Sequence, residues 1–193
     1  MPSDTKDRLT EAVLLSLREH GYAGTSMQDL LRDTGVSSSS MYHFFPGGKE
    51  QLVASAVRSA GLAAAEQIVD VLERHELIEA ITIIFDASAA EMEGNSFRFG
   101  CPIGVPATEA PADSVAIREA VAEVFTAWAA AYETGLRRFG LRSEQATMLG
   151  RFIVTAYEGS VTLARATRTT QPYQDTKAIV ISACSSAANA TNS

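Results

Sequence analysis

A chain of 193 residues fits one domain, or a small head joined to a larger body. Its composition, 46% hydrophobic and 20% charged, supplies enough apolar material for a globular core. The net charge of -7 and the pI near 5 argue against a nucleic-acid-binding protein, which is often basic. Residues 1–50 do not reverse this balance, because five lysines and arginines face seven aspartates and glutamates. Composition and charge alone therefore favour no nucleic-acid partner.

Neither a membrane segment nor a targeting segment is expected. No stretch approaches the roughly 18 uncharged apolar residues of a membrane helix, and the polar residues 1–7 predict no signal peptide. We therefore expect a cytoplasmic protein without a membrane partner. Cys101 and Cys184 are far apart in sequence and lack partners at metal-ligand spacing, so both thiols are expected to be reduced. The sequence predicts no metal and no cofactor.

The chain begins with two predicted helices. Apolar residues recur three and four positions apart, and no convincing run alternates with period two. The first helix is predicted over residues 5–20, and Gly21 ends it because glycine accepts a left-handed C-terminal position. The second begins at Thr25 or Ser26, since each is followed three residues later by a capping-box partner. It stops at Thr34, before the next glycine.

A third short helix completes the head. About one and a half turns fit between Ser37, which is a suitable N-cap, and Pro46, which breaks the helix. The tight turn before it contains Gly35. Two short helices joined by such a turn predict a helix-turn-helix.

The rest of the chain is also predicted to be helical, with an irregular segment over residues 94–111 and a frayed tail over 187–193. The predicted body helices span residues 49–75, 77–93, 114–139, 143–166 and 173–187.

Three stretches of the head carry a recognisable pattern: residues 21–30 (GYAGTSMQDL), 35–37 (GVS) and 42–52 (YHFFPGGKEQL). Over about residues 6–55 the chain resembles the DNA-binding domain of TetR-family regulators. The FPGGKEQL string is similar to the subgroup that represses lincomycin-resistance and flavonoid-responsive genes. Residues 100–102 (GCP) and 163–168 (LARATR) are similar to that subgroup's body.

The resemblance implies an all-α homodimer that grips palindromic operator DNA. Each subunit would have a three-helix head at 1–50 and a body at 51–193 that binds a ligand and forms the dimer. The helix at 38–43 would enter the major groove. A small hydrophobic or aromatic effector would release the repressor from its operator.

Polar residues of the head predict contacts to DNA. Thr25 and Ser26 begin a helix, where backbone N–H groups and the positive dipole end favour a phosphate. Lys49 starts the next helix beside two glycines, which suits another phosphate contact. Tyr42 and His43 carry polar tips, although packing against the head would also explain them. The predicted DNA-binding residues are Thr25, Ser26, Ser37, Ser38, Ser39, Ser40, Tyr42, His43 and Lys49.

The serine run at 37–40 shapes the expected recognition of DNA. The family usually has a cationic or small residue just after the serine cap, where this chain has Ser38. Serine hydroxyls donate and accept hydrogen bonds but cannot supply the bidentate arginine contact to guanine. We expect more reliance on phosphates, water and DNA shape. The alternative interpretation of the run is a low-complexity loop.

The last two predicted helices would form the dimer interface, which spaces two heads by one DNA turn, about 34–36 Å. Small residues there allow a facing helix to approach closely, and an intramolecular core is the alternative. The predicted interface residues are Phe152, Ala156, Tyr157, Gly159, Ser160, Leu163, Ile179 and Ala183.

Large apolar residues of the body could line an effector cavity with a few polar tips. Each of them could equally belong to the core. The candidate ligand-binding residues are Phe85, Met92, Phe97, Phe99, Phe125, Trp128, Tyr132 and Phe152.

Catalysis is not expected. None of the histidines, His20, His43 and His75, belongs to a nucleophile or metal motif, and no glycine-rich phosphate loop appears. The chain therefore offers no candidate catalytic residue. A second alternative is a helical ligand-binding or scaffold protein that has lost specific DNA binding, and the acidic head with Ser38 favours it.

Overall fold

The computed structural model describes the backbone of residues 2–191 and the side chains of residues 4–188. Within these residues the chain is all-α, which confirms the predicted fold class, and contains no strand. The helices are α1 (Pro2–Gly24), α2 (Met27–Thr34), α3 (Ser38–Phe44), α4 (Gly48–Arg74), α5 (Leu77–Gly94), α6 (Gly104–Glu109), α7 (Val115–Arg138), α8 (Ser143–Thr167) and α9 (Gln171–Thr191).

The structure differs from the predicted elements in three places. Helix α1 continues to Gly24 across a break at Gly21, which has φ 77°. Helix α6 lies inside the segment predicted to be irregular, and Pro106 is tolerated there because it falls in the first helical turn. Helix α9 runs to Thr191, through most of the predicted tail, whose residues 192–193 lie outside the described part of the chain.

The chain forms two compact units. The head unit comprises the described residues up to Gly61 together with Gly100–Val124, and the body unit comprises Leu62–Phe99 with the described residues from Phe125 onwards. Helices α4 and α7 each contribute residues to both. Packing thus assigns residues 100–124 to the head unit, whereas the sequence placed the boundary after residue 50. That earlier boundary remains a prediction about function.

The core of the head unit comes from one stripe of α1 and from the helices packed on it. Leu9, Val13 and Leu17, four residues apart, are completely buried, as expected for one face of a helix. Burying each such side chain contributes roughly 1.5–3 kcal/mol. Other buried residues of the head unit include Leu30, Met41, Phe45, Leu52, Val53, Ala56 and Val57.

Helix α4 is long and apolar enough, by length and composition, to cross a membrane, and the core helices of soluble proteins pass the same test. Its first turns bury Leu52 and Val57 inside the head unit. Arg58 on the same helix pairs with Glu123, with Nε 2.6 Å from Oε2. These contacts are those of a core helix.

The body unit is built on α5, α8 and α9, which pack against one another. The Ser160 hydroxyl joins α8 to α9 through the Thr176 hydroxyl at 2.7 Å. Lys177 on α9 lies 2.5 Å from Asp86 on α5. Helix α7 approaches α8 closely at Gly150, where an added Cβ would lie 2.6 Å from the carbonyl oxygen of Ala129.

Gly150→Ala should lower the free energy of unfolding by about 1–3 kcal/mol, because the new methyl group meets rigid backbone and overpacking costs that much. Gly94→Ala is the matched control, since a Cβ there has no neighbour within 4 Å. It should leave stability unchanged or slightly raised, because alanine is the better helix former. Chemical denaturation of both variants measures the difference. Equal stability of the two variants would contradict the close α7–α8 approach.

Candidate nucleic-acid interface

The N-caps of α2 and α3 determine where the two helices of the helix-turn-helix begin. The Ser26 hydroxyl accepts a hydrogen bond from the backbone N–H of Asp29, and the Ser37 hydroxyl accepts one from Ser40 at 3.1 Å. Between the helices Gly35 takes φ 64°, a left-handed conformation that glycine adopts without strain. Val36 is then buried. The turn therefore has a fixed geometry, and Ser37 serves as a cap.

Helix α3 presents a polar face to solvent. Ser38, Ser39, Tyr42 and His43 are all exposed, and their spacing of four residues puts them on one side of the helix. Met41 on the opposite side is buried. This face offers two hydroxyls, a phenol and an imidazole, and all of them can donate or accept hydrogen bonds.

Thr25 lies inside the head unit, with 2% of its surface exposed. Its hydroxyl accepts from the Ser16 hydroxyl at 3.0 Å and donates to the Gly21 carbonyl at 2.7 Å. Its N–H donates to the Tyr22 carbonyl. The prediction that Thr25 touches DNA is therefore corrected: its polar groups stabilise the junction between α1 and α2. Ser26, which is half-buried, stands at the surface of that junction.

Lys49 is held by Tyr22. Its Nζ donates to the Tyr22 carbonyl oxygen at 2.6 Å and lies 4.2 Å from the centre of the Tyr22 ring. Partial burial lowers the pKa of Lys49. An ammonium group has three donors, so this bond leaves others for a phosphate. The first role of Lys49 is nevertheless to tie the start of α4 to the end of α1.

Other cations of the head unit are also engaged by the protein. Arg8 donates to the Thr34 carbonyl. Arg32 bonds Asp33 and pairs with Asp29 at 2.7 Å, and these carboxylates raise its pKa, the hydrogen bond to Asp33 most. Exposed pairs of this kind contribute little to stability, so phosphate can compete for Arg32. Lys49, Arg8 and Arg32 therefore each make contacts within the head unit.

The predicted ligand residues differ in their exposure to solvent. Phe85, Met92, Trp128 and Tyr132 are buried, and Phe152 is exposed. The other three, Phe97, Phe99 and Phe125, are half-buried.

Some of the predicted ligand residues make aromatic contacts in the body unit. Phe125 packs edge-on to Trp128 with ring centres 5.7 Å apart. Phe85 packs edge-on to Tyr157 at 5.8 Å, and the Tyr157 hydroxyl lies 3.0 Å from the Ser88 hydroxyl. Burial, and next the neighbouring Tyr157, raise the pKa of Tyr132 far above its usual range. The phenol of Tyr132 is therefore uncharged within the body unit.

The structure also contains an open cleft of about 430 Å³ between α4 and α7, which the sequence did not indicate. None of the predicted ligand residues lines it. Its small residues carry no binding motif, and only the packing of the two helices brings them together. The lining residues are Ala65, Glu66, Val69, Asp70, Glu73, Ala127, Ala130, Ala131 and Thr134.

The predicted dimer residues divide into an exposed and an internal group. Phe152, Gly159, Leu163 and Ile179 are exposed, and Ala156 and Ala183 are half-buried. Met148, four residues before Phe152, is 63% exposed on the same side of α8, a position that helical spacing could have revealed.

Tyr157, which is half-buried, and Ser160, which is buried, make contacts inside the body unit, and their place in a dimer interface stays a prediction. The Tyr157 ring lies edge-on to Tyr173 and Phe85 within the body unit. Ser160 is 1% exposed, and its hydroxyl is used by α9.

Comparisons with known proteins agree with this geometry. Residues 9–56 match the model of the tetR family of bacterial regulatory proteins, and residues 78–178 match the C-terminal domain of LmrA/YxaF-like transcriptional regulators. The HTH-type transcriptional regulator LmrA of Bacillus subtilis is 27% identical over 170 residues, covering 88% of this chain and 90% of that protein. An HTH-type transcriptional regulator of Mycobacterium tuberculosis is 31% identical over 175 residues, covering 86% and 87%.

A solved structure shows the same fold. The crystal structure of a TetR transcriptional regulator from Legionella pneumophila superposes with a TM-score of 0.79 at 20% identity, covering 92% of this chain and 95% of that one. The resemblance carried by residues 21–52 is thereby confirmed, together with the subgroup indicated by the FPGGKEQL string.

Proposed function

The chain belongs to the TetR family of bacterial transcription regulators, and from this membership we propose a homodimeric repressor released from palindromic operator DNA by a small organic effector. It is a DNA-binding regulator and not an enzyme. The polar face of α3 is the observation that carries the proposal. Repression follows because an operator-bound dimer obstructs polymerase, and the protein would act in the cytoplasm, where bacterial DNA lies.

In this proposal α3 enters the major groove and reads base edges with Ser38, Ser39, Tyr42 and His43. All four are exposed side by side, and none can form the bidentate arginine contact to guanine.

His43→Ala should weaken binding roughly tenfold, or about 1.4 kcal/mol, to a duplex that the unmodified protein enriches from a random-sequence pool. The physical reason is the loss of one base-edge hydrogen bond in the groove. His20→Ala is the matched control, because His20 is also exposed but stands near the end of α1. Titration at fixed salt measures both variants.

Footprinting of the same duplex tests the dimeric arrangement, which requires two symmetric half-sites one turn apart. Equal binding by the two histidine variants would contradict the proposed base contact of His43. Enrichment of no duplex would favour the alternative, a helical ligand-binding protein that has lost specific DNA binding.

The proposed dimer uses an apolar face of α8 and α9. Met148, Phe152 and Leu163 lie along α8, and Ile179 lies on α9, each with 43–63% of its surface exposed. The bond between Ser160 and Thr176 fixes α9 beside this face. Large exposed apolar side chains on one surface mark a contact with a partner. A second copy of the same face would bury them around a two-fold axis.

Ile179→Glu should convert the dimer to a folded monomer, because two new carboxylates would face each other across the two-fold axis. Ile78→Glu is the control, since Ile78 is an isoleucine of similar exposure, 53% against 60%, on α5. Light scattering gives the mass, and helicity checks the fold. A dimeric Ile179→Glu variant would place the interface elsewhere.

The proposed effector binds in the body unit and favours a spacing of the two heads that DNA does not accept. Ligand and operator then compete through a coupling free energy. The aromatic contacts of Phe125 with Trp128 and of Phe85 with Tyr157 support a flat or hydrophobic ligand. The partly buried hydroxyls of Ser88 and Tyr157 would orient it.

Compounds that release the enriched duplex should also change the fluorescence of Trp128, which is the only tryptophan of the chain and is 8% exposed. A ligand entering beside Phe125 would alter the surroundings of the indole. The measurement uses a panel of small aromatic and hydrophobic compounds, first on the complex with DNA and then on the DNA-free protein. Release without any change in DNA-free emission would place the effector away from Trp128.

A further inference from the structure

Residues 100–109, called the strap below, connect at both ends to the second half of α1. At one end the N–H of Gly100 donates to the Arg18 carbonyl at 2.9 Å, and Arg18 Nε donates to the Gly100 carbonyl at 3.3 Å. At the other end Glu109 Oε2 accepts the N–H of Tyr22 at 2.8 Å. Helix α6, between these ends, packs against α1.

The strap supplies the hydrogen bonds that the break in α1 leaves open. In a continuous helix the N–H of Tyr22 would donate to the carbonyl of Arg18, four residues earlier. The positive φ of Gly21 separates these two groups. Glu109 takes the N–H and Gly100 supplies a donor for the carbonyl, so both partners come from the strap.

Gly21 is required for this arrangement in two ways. Its φ of 77° suits glycine. In addition, the Glu109 carboxylate occupies the space of a side chain at this position, since a Cβ on Gly21 would lie 2.9 Å from Oε1. The break and the carboxylate therefore belong to one local structure.

The junction at Tyr22 also holds the parts of the head that approach DNA. Its carbonyl accepts from Lys49 Nζ at the start of α4 and from the N–H of Thr25 just before α2. A displacement of the Tyr22 peptide would therefore move the start of α4 and the start of α2 together.

We propose that the strap contributes to DNA binding by the head and that Glu109 is a positioning residue for operator binding. Glu109 holds the peptide of Tyr22, and through it Lys49 and the N-terminus of α2, in the arrangement that contacts DNA. This inference rests on the proposed function. It extends the reading head beyond the matched residues 9–56 into a segment that the family comparison assigns to the C-terminal domain, 78–178.

The strap begins where the chain passes from the body unit to the head unit. Gly100 follows directly on Phe99, the last residue of the first body segment. A polar bond at the surface of the head unit is thus made by residues that continue from the effector-binding unit.

The test compares operator binding by three full-length variants, using the duplex enriched by the unmodified protein. Glu109→Ala should weaken binding about tenfold, because it removes a charged acceptor from Tyr22. Glu109→Gln should restore most of the affinity, since its amide oxygen can accept the same N–H. Thr108→Ala is the matched control, because the Thr108 hydroxyl donates to Gly104 and Val105 of its own helix.

Two further measurements separate positioning from general support of the fold. The unfolding midpoint of Glu109→Ala should stay close to that of the unmodified protein. In a double-mutant cycle, Glu109→Ala and Lys49→Met should cost less together than the sum of the two separate losses, because both act through Tyr22.

Unchanged binding by Glu109→Ala, additive losses with Lys49→Met, or a loss that Glu109→Gln does not restore would each overturn the inference. Failure of the unmodified protein to enrich any duplex is a separate result. It would overturn the proposed function and, with it, the inference that depends on it.

Discussion

The pairing of backbone groups around the break in α1 is the constraint on which the head depends. A break in a helix leaves an N–H and a carbonyl without their helical partners, and other groups then pair with them. Here the completion comes from Gly100 and Glu109, which follow Tyr22 by about eighty residues. One local irregularity thus ties a distant part of the chain to the DNA-binding helices.

The acidic composition and the DNA-binding function are compatible because net charge and local recognition are different properties. Net charge governs steering and non-specific attraction, whereas hydrogen bonds at base edges govern specificity. In this head Arg32 is held between two aspartates and Lys49 lies against Tyr22. In the proposed function, specificity then comes from the hydrogen-bonding groups of α3.

Neighbouring residues of α8 differ in their exposure to solvent and in the contacts that they make. Leu163 and Phe152 project outwards, whereas Ser160 and Tyr157 are used within the protomer by α9 and α5. A shift of one position on a helix rotates a side chain by about 100°. An exposed apolar face and a set of internal contacts therefore share one helix.

The sequence by itself determined the all-helical fold, the helix-turn-helix and the family, because periodicity, caps and a spaced motif are local signals. Capping by Ser26 and Ser37 was predictable for this reason. Only the tertiary structure decided that Thr25 is internal, that α6 belongs to the head unit and that Glu109 meets Tyr22. These contacts join residues far apart in the chain, and no local pattern encodes which distant group completes a broken helix.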